Sequence, residues 1–454
     1  MVETIKDLLH GYKDKKYSSK EVIEYFYNVS KNLQPILNHY VNLVEDLKDI
    51  PDKAIPIAYK DIYSTKNFKS TAASNILKNY APPFNATSVE RLKNKDFYML
   101  GKLNLDAFAH GATGENSDFG PVKNPYSLKH VSGGSSSGSA AAVSSGSVLV
   151  ATATDTGGSI RNPASFNNVV GIKPTYGRVS RYGVFAMTSS TDSVGHITKT
   201  VWDNAYVLGI TAGIDYRDAT SSPIPVPDYT KDLEILDIKS LKVGLPKEYF
   251  DENVDNSIKE KVMEQVNILK KLGAKVVDVS LPNTEYGVAS YYVITPSEVS
   301  SNLSRLYGIR YGEGRDTFGD EAVRRIMIGT FSLSSGYYDA YYSKAMKVRN
   351  ALTNDFDSVF KQVDVLVAPV TSTMPPKIGE QVDDPLKNYL MDALTVPINM
   401  AGVPALSVPA GFVNNLPVGL QIIGPKFSEQ LLYKVGNRVE KETEFYKVKP
   451  KIEG

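Results

Sequence analysis

Apolar positions along this chain follow two periods, and each marks a different kind of element. Ser18 and Glu21 stand at capping-box spacing, and Val22, Ile23, Phe26 and Val29 then recur at helical spacing, so an amphipathic helix is predicted to begin there. In IPIAYKDIYST, Ile55 to Thr65, a short apolar run leads directly into Lys60, which predicts a strand end opening into a loop with the lysine at its mouth. A strand–helix–strand unit follows: LKVGLP, then a helical face of Ile258, Val262, Val266, Leu269 and Leu272 stopped by Gly273, then KVVDVSL. VDVLVAPV reads as a buried strand, and the loop after it, with Thr371, Ser372, Thr373 and two prolines, suits an open sheet whose strand ends carry function. No internal repeat or heptad run is visible. The pattern predicts an α/β protein with a large mixed β-sheet covered by helices, one domain over 1–454 with an N-terminal helical segment about 1–50.

Composition narrows the classes of function. The 454 residues are 42% hydrophobic and 22% charged, and no apolar run reaches the roughly 18 to 20 residues that span a bilayer, so a cytoplasmic chain without a membrane segment is expected. The start lacks the apolar core and cleavage site of a secretory signal. Absence of Cys excludes disulfides, thiolate metal sites and a cysteine nucleophile together. A formal net charge of +1 gives no general attraction for a phosphate backbone, so any RNA should be held mainly by a partner. His10, His39, His110, His130 and His196 are scattered without a short-range ligand cluster, so no metal is expected and each reads as structural or surface.

From Val131 to Ser159 the chain is rich in Gly, Ser, Ala and Thr. A flexible linker would have that composition, but AAAV and SVLVATAT carry helix-forming and strand-forming residues for which a solvated linker has no use. Neither Gly133-Gly134 nor Gly157-Gly158 builds a phosphate loop or a dinucleotide fingerprint. Gly134-Ser135-Ser136-Ser137-Gly138 formally matches a nucleophile elbow centred on Ser136, yet no apolar strand leads into it and His196 comes too early for the usual order of the triad. A different constellation is better supplied: a lysine at a strand end, a Gly/Ser loop, and the loop Asp155-Thr156-Gly157-Gly158-Ser159. Amide hydrolysis needs an activated hydroxyl, a base and donors for the oxyanion, and serine–lysine systems provide these without histidine. The backbone N–H groups of Thr156, Gly157, Gly158 and Ser159 are the oxyanion-hole candidates, since two glycines permit close approach.

GGSSSGSAAA together with DTGGSIRNPASFNNVVGIKPTYGRVSRYG resembles the amidase-signature family, and the likeness extends from IPIAYKD through GKLNLDAFAHGATGENSDFGPVKNP to PVGLQIIG. The resemblance implies a mixed sheet with helices on both faces and a Ser, cis-Ser, Lys triad: Ser159 as nucleophile, Ser135 as the cis-serine and Lys60 as the base. SYYVITPSEVSSNLSRLYGIRYG and VRRIMIGTFSLSSGYYDAYYSKAMKVR are similar to glutaminase subunits of tRNA-dependent amidotransferases within that family. That likeness implies L-glutamine as substrate, with Arg325 holding its α-carboxylate and Asp392 its α-amino group. It further implies a tRNA-binding kinase/transferase partner that uses ATP and Mg²⁺, a small accessory subunit, and no cofactor in this chain. There are departures: Ser137 stands where many such subunits have glycine, Ser132 where proline is usual, and the segment between GIRYG and VRRIM is shorter.

Blander readings stand beside these. Lys60 could be a surface lysine, Arg325 a structural ion-pair partner and Asp392 a helix cap. At the level of function, the alternatives are a stand-alone amidase of small or aryl amides and a non-catalytic scaffold subunit.

Overall fold

The computed structural model describes residues 2–306, 314, 317–380 and 385–452, so the GIRYG block lies outside the described residues. Thirteen strands are present among them: β1 Tyr40–Leu43, β2 Ile55–Lys60, β3 Phe97–Leu103, β4 Lys123–Asn124, β5 Ser127–Val131, β6 Val150–Asp155, β7 Val170–Lys173, β8 Ser193–Thr198, β9 Lys242–Pro246, β10 Lys275–Val279, β11 Val365–Pro369, β12 Ala405–Val413 and β13 Leu416–Ile423. Eleven form one sheet in the order β1-β3-β2-β6-β8-β7-β12-β13-β11-β9-β10, while β4 and β5 make a separate two-stranded ribbon. The sheet is mixed. β3, β2 and β6 run parallel, the run from β6 to β11 is antiparallel at each step, and β11, β9 and β10 are parallel again. Every residue of β2, β6, β7, β8 and β11 is buried, which requires cover on both faces and explains why these strands read as near-continuous apolar or small-residue runs. The edge strand β10 is largely exposed.

The N-terminal helix forms where the pattern places it. Ser19–Leu37 opens with a reciprocal capping box, in which Ser18 N–H donates to Glu21 at 2.7 Å and Glu21 N–H donates to Ser18 Oγ at 3.3 Å. Val22, Ile23 and Phe26 are buried and Val29 lies at the rim. A shorter helix, Ile5–Lys13, precedes it. The helical stretch ends at Leu37, short of residue 50, because Tyr40–Leu43 pairs antiparallel with β3 and becomes a sheet edge. The βαβ unit also matches, with helix Asn256–Lys271 joining parallel β9 and β10 and Gly273 at φ +109° ending it. No helix among the described residues is long and apolar enough to cross a membrane.

Strand direction decides which loops share an end of the sheet. Following the pairings across the sheet, β11 runs opposite to β2 and β6, so the Thr371–Thr373 loop leaves from the far end of the sheet and not from the end that carries Lys60 and Asp155. The strand that leads into the Gly/Ser loop, β5, belongs to the small ribbon and only Val131 of it is buried, so no apolar strand precedes the loop, as the sequence indicates. The helix- and strand-forming residues do form elements, against a linker: the stretch from Val131 holds helix Ser137–Ser144, buried from Ser137 to Val143, and the buried strand β6.

Candidate functional site

Lys60 is the last residue of β2, and its parallel pairing with β6 brings it beside the threonines of that strand. Its backbone N–H donates to Thr152 Oγ1 at 2.9 Å, and its Nζ lies 2.8 Å from Ser135 Oγ, 2.9 Å from Ser136 Oγ and 3.0 Å from Thr154 Oγ1. The side chain is 0% exposed and forms no salt bridge among the described residues, which disposes of the surface-lysine reading. Burial pulls the Lys60 amine down to about 7, against the more distant pull of Asp106, Asp155 and Asp192 toward the charged form. A lysine in that condition is available as a neutral amine near neutral pH.

Ser135 reaches Lys60 because its loop is held from both sides. The Gly134–Ser135 peptide is cis, Gly134 N–H donates to Ala112 O at 2.7 Å, and Ser135 O accepts from Asp106 N–H at 3.3 Å. Ser136 N–H donates to Ser159 O at 3.2 Å, which ties the Gly/Ser loop to the second glycine loop. Ser136 is therefore a partner of Lys60 and sits behind the loop, not at the tip of an elbow. Ser132 Oγ closes the loop from below, donating to Ser137 O at 3.0 Å, and Ser137 Oγ is buried with no partner among the described residues.

The loop from Asp155 to Ser159 is anchored by a buried ion pair. Arg161 Nε and Nη2 donate to the two Asp155 oxygens at 3.0 and 2.9 Å, and the same guanidinium reaches Asn399 Oδ1 at 2.5 Å, Thr395 O at 3.1 Å and Gln421 Oε1 at 3.2 Å. Burial alone would raise the Asp155 carboxyl, but Arg161 overrides it and holds it below the ordinary carboxylate range. Replacing Arg161 by methionine should strand a buried carboxylate and cost about 3–5 kcal/mol, read as a lowered denaturation midpoint. Gly157 and Gly158 are required by crowding: a Cβ on Gly157 would lie 2.8 Å from the Tyr291 hydroxyl, and one on Gly158, where φ is +154°, would collide with Thr395 Oγ1. The N–H groups of Gly157, Gly158 and Ser159 donate to no acceptor among the described residues. Thr156 Oγ1 is engaged with Asp192 at 2.7 Å. Ser159 is 7% exposed, and no hydrogen bond joins its hydroxyl to Ser135 Oγ among the described residues.

Arg325 and Asp392 come to the same place from distant parts of the chain. Asp392 Oδ1 would meet a Cβ on Gly158 at 3.0 Å, so its carboxyl overlies the glycine loop. Burial, with Asp155 nearby, pushes Asp392 up to about 8, and Arg325 partly offsets this. Among the described residues the carboxyl caps no helix; the residue's backbone oxygen instead accepts from Thr395 and Val396 N–H at 3.0 and 2.9 Å. Arg325, 3% exposed on helix Asp320–Ser332, does form an ion pair, with Nε donating to Glu321 at 2.8 Å, yet its Nη1 is buried without a partner among the described residues. Its charge also acts on Tyr291 and on His110. His110, read as structural, is buried with neither ring nitrogen partnered among the described residues, and burial, with Arg325 nearby, keeps it neutral. A cavity of about 350 Å³ lined by Thr154, Thr156, Arg181 and Asp192 backs onto the lysine side of the centre; Ser159, Arg325 and Asp392 do not line it.

The amidase family pattern matches residues 43–433 of this chain. The chain belongs to the amidase-signature family. Its sequence is 47% identical to the A-type subunit of glutamyl-tRNA(Gln) amidotransferase from Persephonella marina, with 99% of each chain covered, and 51% identical to the protein of that name from Geobacillus kaustophilus, over 87% of this chain and 84% of the relative. The crystal structure of the corresponding glutamyl-tRNA(Gln) amidotransferase protein from Thermotoga maritima superposes with a TM-score of 0.89 at 41% identity, covering 99% of this chain and 98% of that one. Within this amidase-signature chain, sequence reasoning missed Thr154, Asp106, Arg161, Asn399 and Tyr291 around the centre. Arg161 carried a usable signal, a lone charge inside a run of small and apolar residues. Thr154 and Tyr291 carried none, because they matter only through contacts the fold creates.

Proposed function

We propose that this chain is the glutaminase subunit of a cytoplasmic tRNA-dependent amidotransferase, releasing ammonia from L-glutamine for conversion of Glu-tRNA(Gln) or Asp-tRNA(Asn) to the amidated product. The observation that carries the reading is the meeting, at one loop, of a buried amine on Ser135, free N–H groups at Ser159, and an opposed pair of charged groups, Arg325 and Asp392, suited to a zwitterionic amino acid. Neutral Lys60 accepts a proton from Ser135, which takes one from Ser159 as Ser159 Oγ attacks the side-chain carbonyl carbon. The Gly157, Gly158 and Ser159 N–H groups, with Thr156 at the head of the loop, receive the oxyanion. Collapse of the tetrahedral intermediate breaks the C–N bond, the proton held at Lys60 returns through Ser135 to the leaving nitrogen, and ammonia departs. Water then attacks the glutamyl ester by the same relay, releasing glutamate and restoring Ser159. The Ser135 and Ser159 hydroxyls come into hydrogen-bond contact on substrate binding, as catalytic contacts commonly tighten only in the Michaelis complex.

ATP, Mg²⁺ and most of the tRNA surface are assigned to a kinase/transferase partner, with a small accessory subunit completing the assembly. This agrees with the near-neutral charge of the chain. The test is ammonia release from L-glutamine by the chain alone and with partner subunits. Arg325→Ala should raise KM for glutamine by about tenfold or more; unchanged glutamine turnover in that variant would refute the substrate assignment.

The pH profile follows from two of the groups named. Lys60 must be neutral and Asp392 charged, so both requirements are met above about 8 and fail as pH falls. On the acid side, kcat/KM should lose one factor below about 8 and a second below about 7, while Asp392→Asn keeps only the lower ionisation. A profile flat from pH 6 to 9 would contradict both assignments.

A further inference from the structure

Helix Asp320–Ser332 places Glu321 one turn before Arg325, on the same side. Glu321 Oε1 accepts from Arg325 Nε at 2.8 Å, and its other oxygen is held by Arg324. The Arg325 guanidinium lies 5.6 Å from the Tyr292 ring centroid, and that ring stacks on Tyr389 at 3.7 Å. One edge of the guanidinium is thus fixed by a carboxylate and one face by an aromatic ring. On the Nη edge, Nη1 is buried and unpartnered among the described residues. A guanidinium carries five donors in a planar fork, and two parallel N–H groups on one edge fit a carboxylate.

We propose that Glu321 is a positioning residue: it clamps the Nε side of Arg325 so that the Nη edge is presented to the α-carboxylate of an amino-acid amide, and thereby sets the preference of this site for L-glutamine over amides without a carboxylate. The proposal rests on the role given to Arg325 above. Glu321 does not compete for the substrate's place, because it meets Arg325 through one oxygen only while Arg324 holds the other. Arg324 shares the negative charge of Glu321, so Arg325 is not neutralised by that contact alone. A merely structural Glu–Arg pair four residues apart on a helix would add a little to helix stability and leave KM alone.

The experiment compares ammonia release by the full-length chain, with its partner subunits, from L-glutamine and from 4-aminobutanamide, which is the same molecule without the α-carboxylate. Glu321→Ala should raise KM for L-glutamine about tenfold with kcat within about twofold, and should shrink the preference for L-glutamine over 4-aminobutanamide by about the same factor. Glu321→Gln, which retains an acceptor for Nε, should recover part of the loss. An unchanged KM, a lowered KM, or equal losses on both amides would overturn the proposal. Arg325→Ala separates the two levels. If that variant raises KM for glutamine while Glu321→Ala does not, only the positioning role falls; if neither changes it, the substrate assignment falls as well.

Discussion

Ser159→Ala is expected to lower kcat for glutamine hydrolysis by on the order of 10³-fold or more, with glutamine binding retained. The magnitude follows from what remains at the site. Ser135 and Ser136 are committed to Lys60 at 2.8 and 2.9 Å and are fully buried, so neither hydroxyl can take over the attack. Free N–H groups at Gly157 and Gly158 would still polarise a bound carbonyl and allow slow attack by water. The fold should be undisturbed, since Ser159 is tied to the neighbouring loop through its backbone oxygen. Steady-state ammonia release, with glutamine affinity measured separately, checks both halves. Turnover within a few-fold of wild type would remove Ser159 from the role of nucleophile.

The second large effect is expected at Lys60, where methionine keeps the length of the side chain and removes the amine. Loss of the base should lower kcat by roughly 10²- to 10⁴-fold. Three buried hydroxyls, on Ser135, Ser136 and Thr154, then lose their common partner; Ser136 keeps its bond to Thr154 O at 3.3 Å, so the stability cost of about 1–3 kcal/mol per unsatisfied group falls on Ser135 and Thr154. Lys60→Arg distinguishes the two consequences. A guanidinium can donate to hydroxyls but does not deprotonate in proteins, so this variant should be as inactive as the methionine one. Activity in Lys60→Arg within tenfold of wild type would show that the position supplies hydrogen bonds and not proton acceptance.

How far the sequence carries is clearest from individual residues. The capping box at Ser18 and Glu21, the strand ending on Lys60 and the unit around Ile258 to Gly273 are local, and local periodicity with capping chemistry encodes them. The site came into view because the Gly/Ser loops carry their pattern in consecutive residues. Its surroundings did not. Lys60 meets Thr154 across 94 positions, Arg161 meets Asn399 across 238 and Gln421 across 260, and nothing in the period of either segment records such a meeting. Strand direction is hidden for the same reason: VLVAP looks alike whichever way it is paired, so the end of the sheet from which its loop departs cannot be read from its residues. A four-residue edge strand such as Tyr40–Leu43 leaves too short an alternation to distinguish it from the helical segment before it.

The most direct measurement is to trap the covalent intermediate. The chain is mixed with L-glutamine, quenched in acid, digested and examined by mass spectrometry for a glutamyl ester. The expected result is an adduct on the peptide containing Ser159, absent from Ser159→Ala and dependent on Lys60. An adduct on Ser135 or Ser136, or full glutamine turnover in Ser159→Ala with no ester on any serine, would contradict Ser159 as the nucleophile.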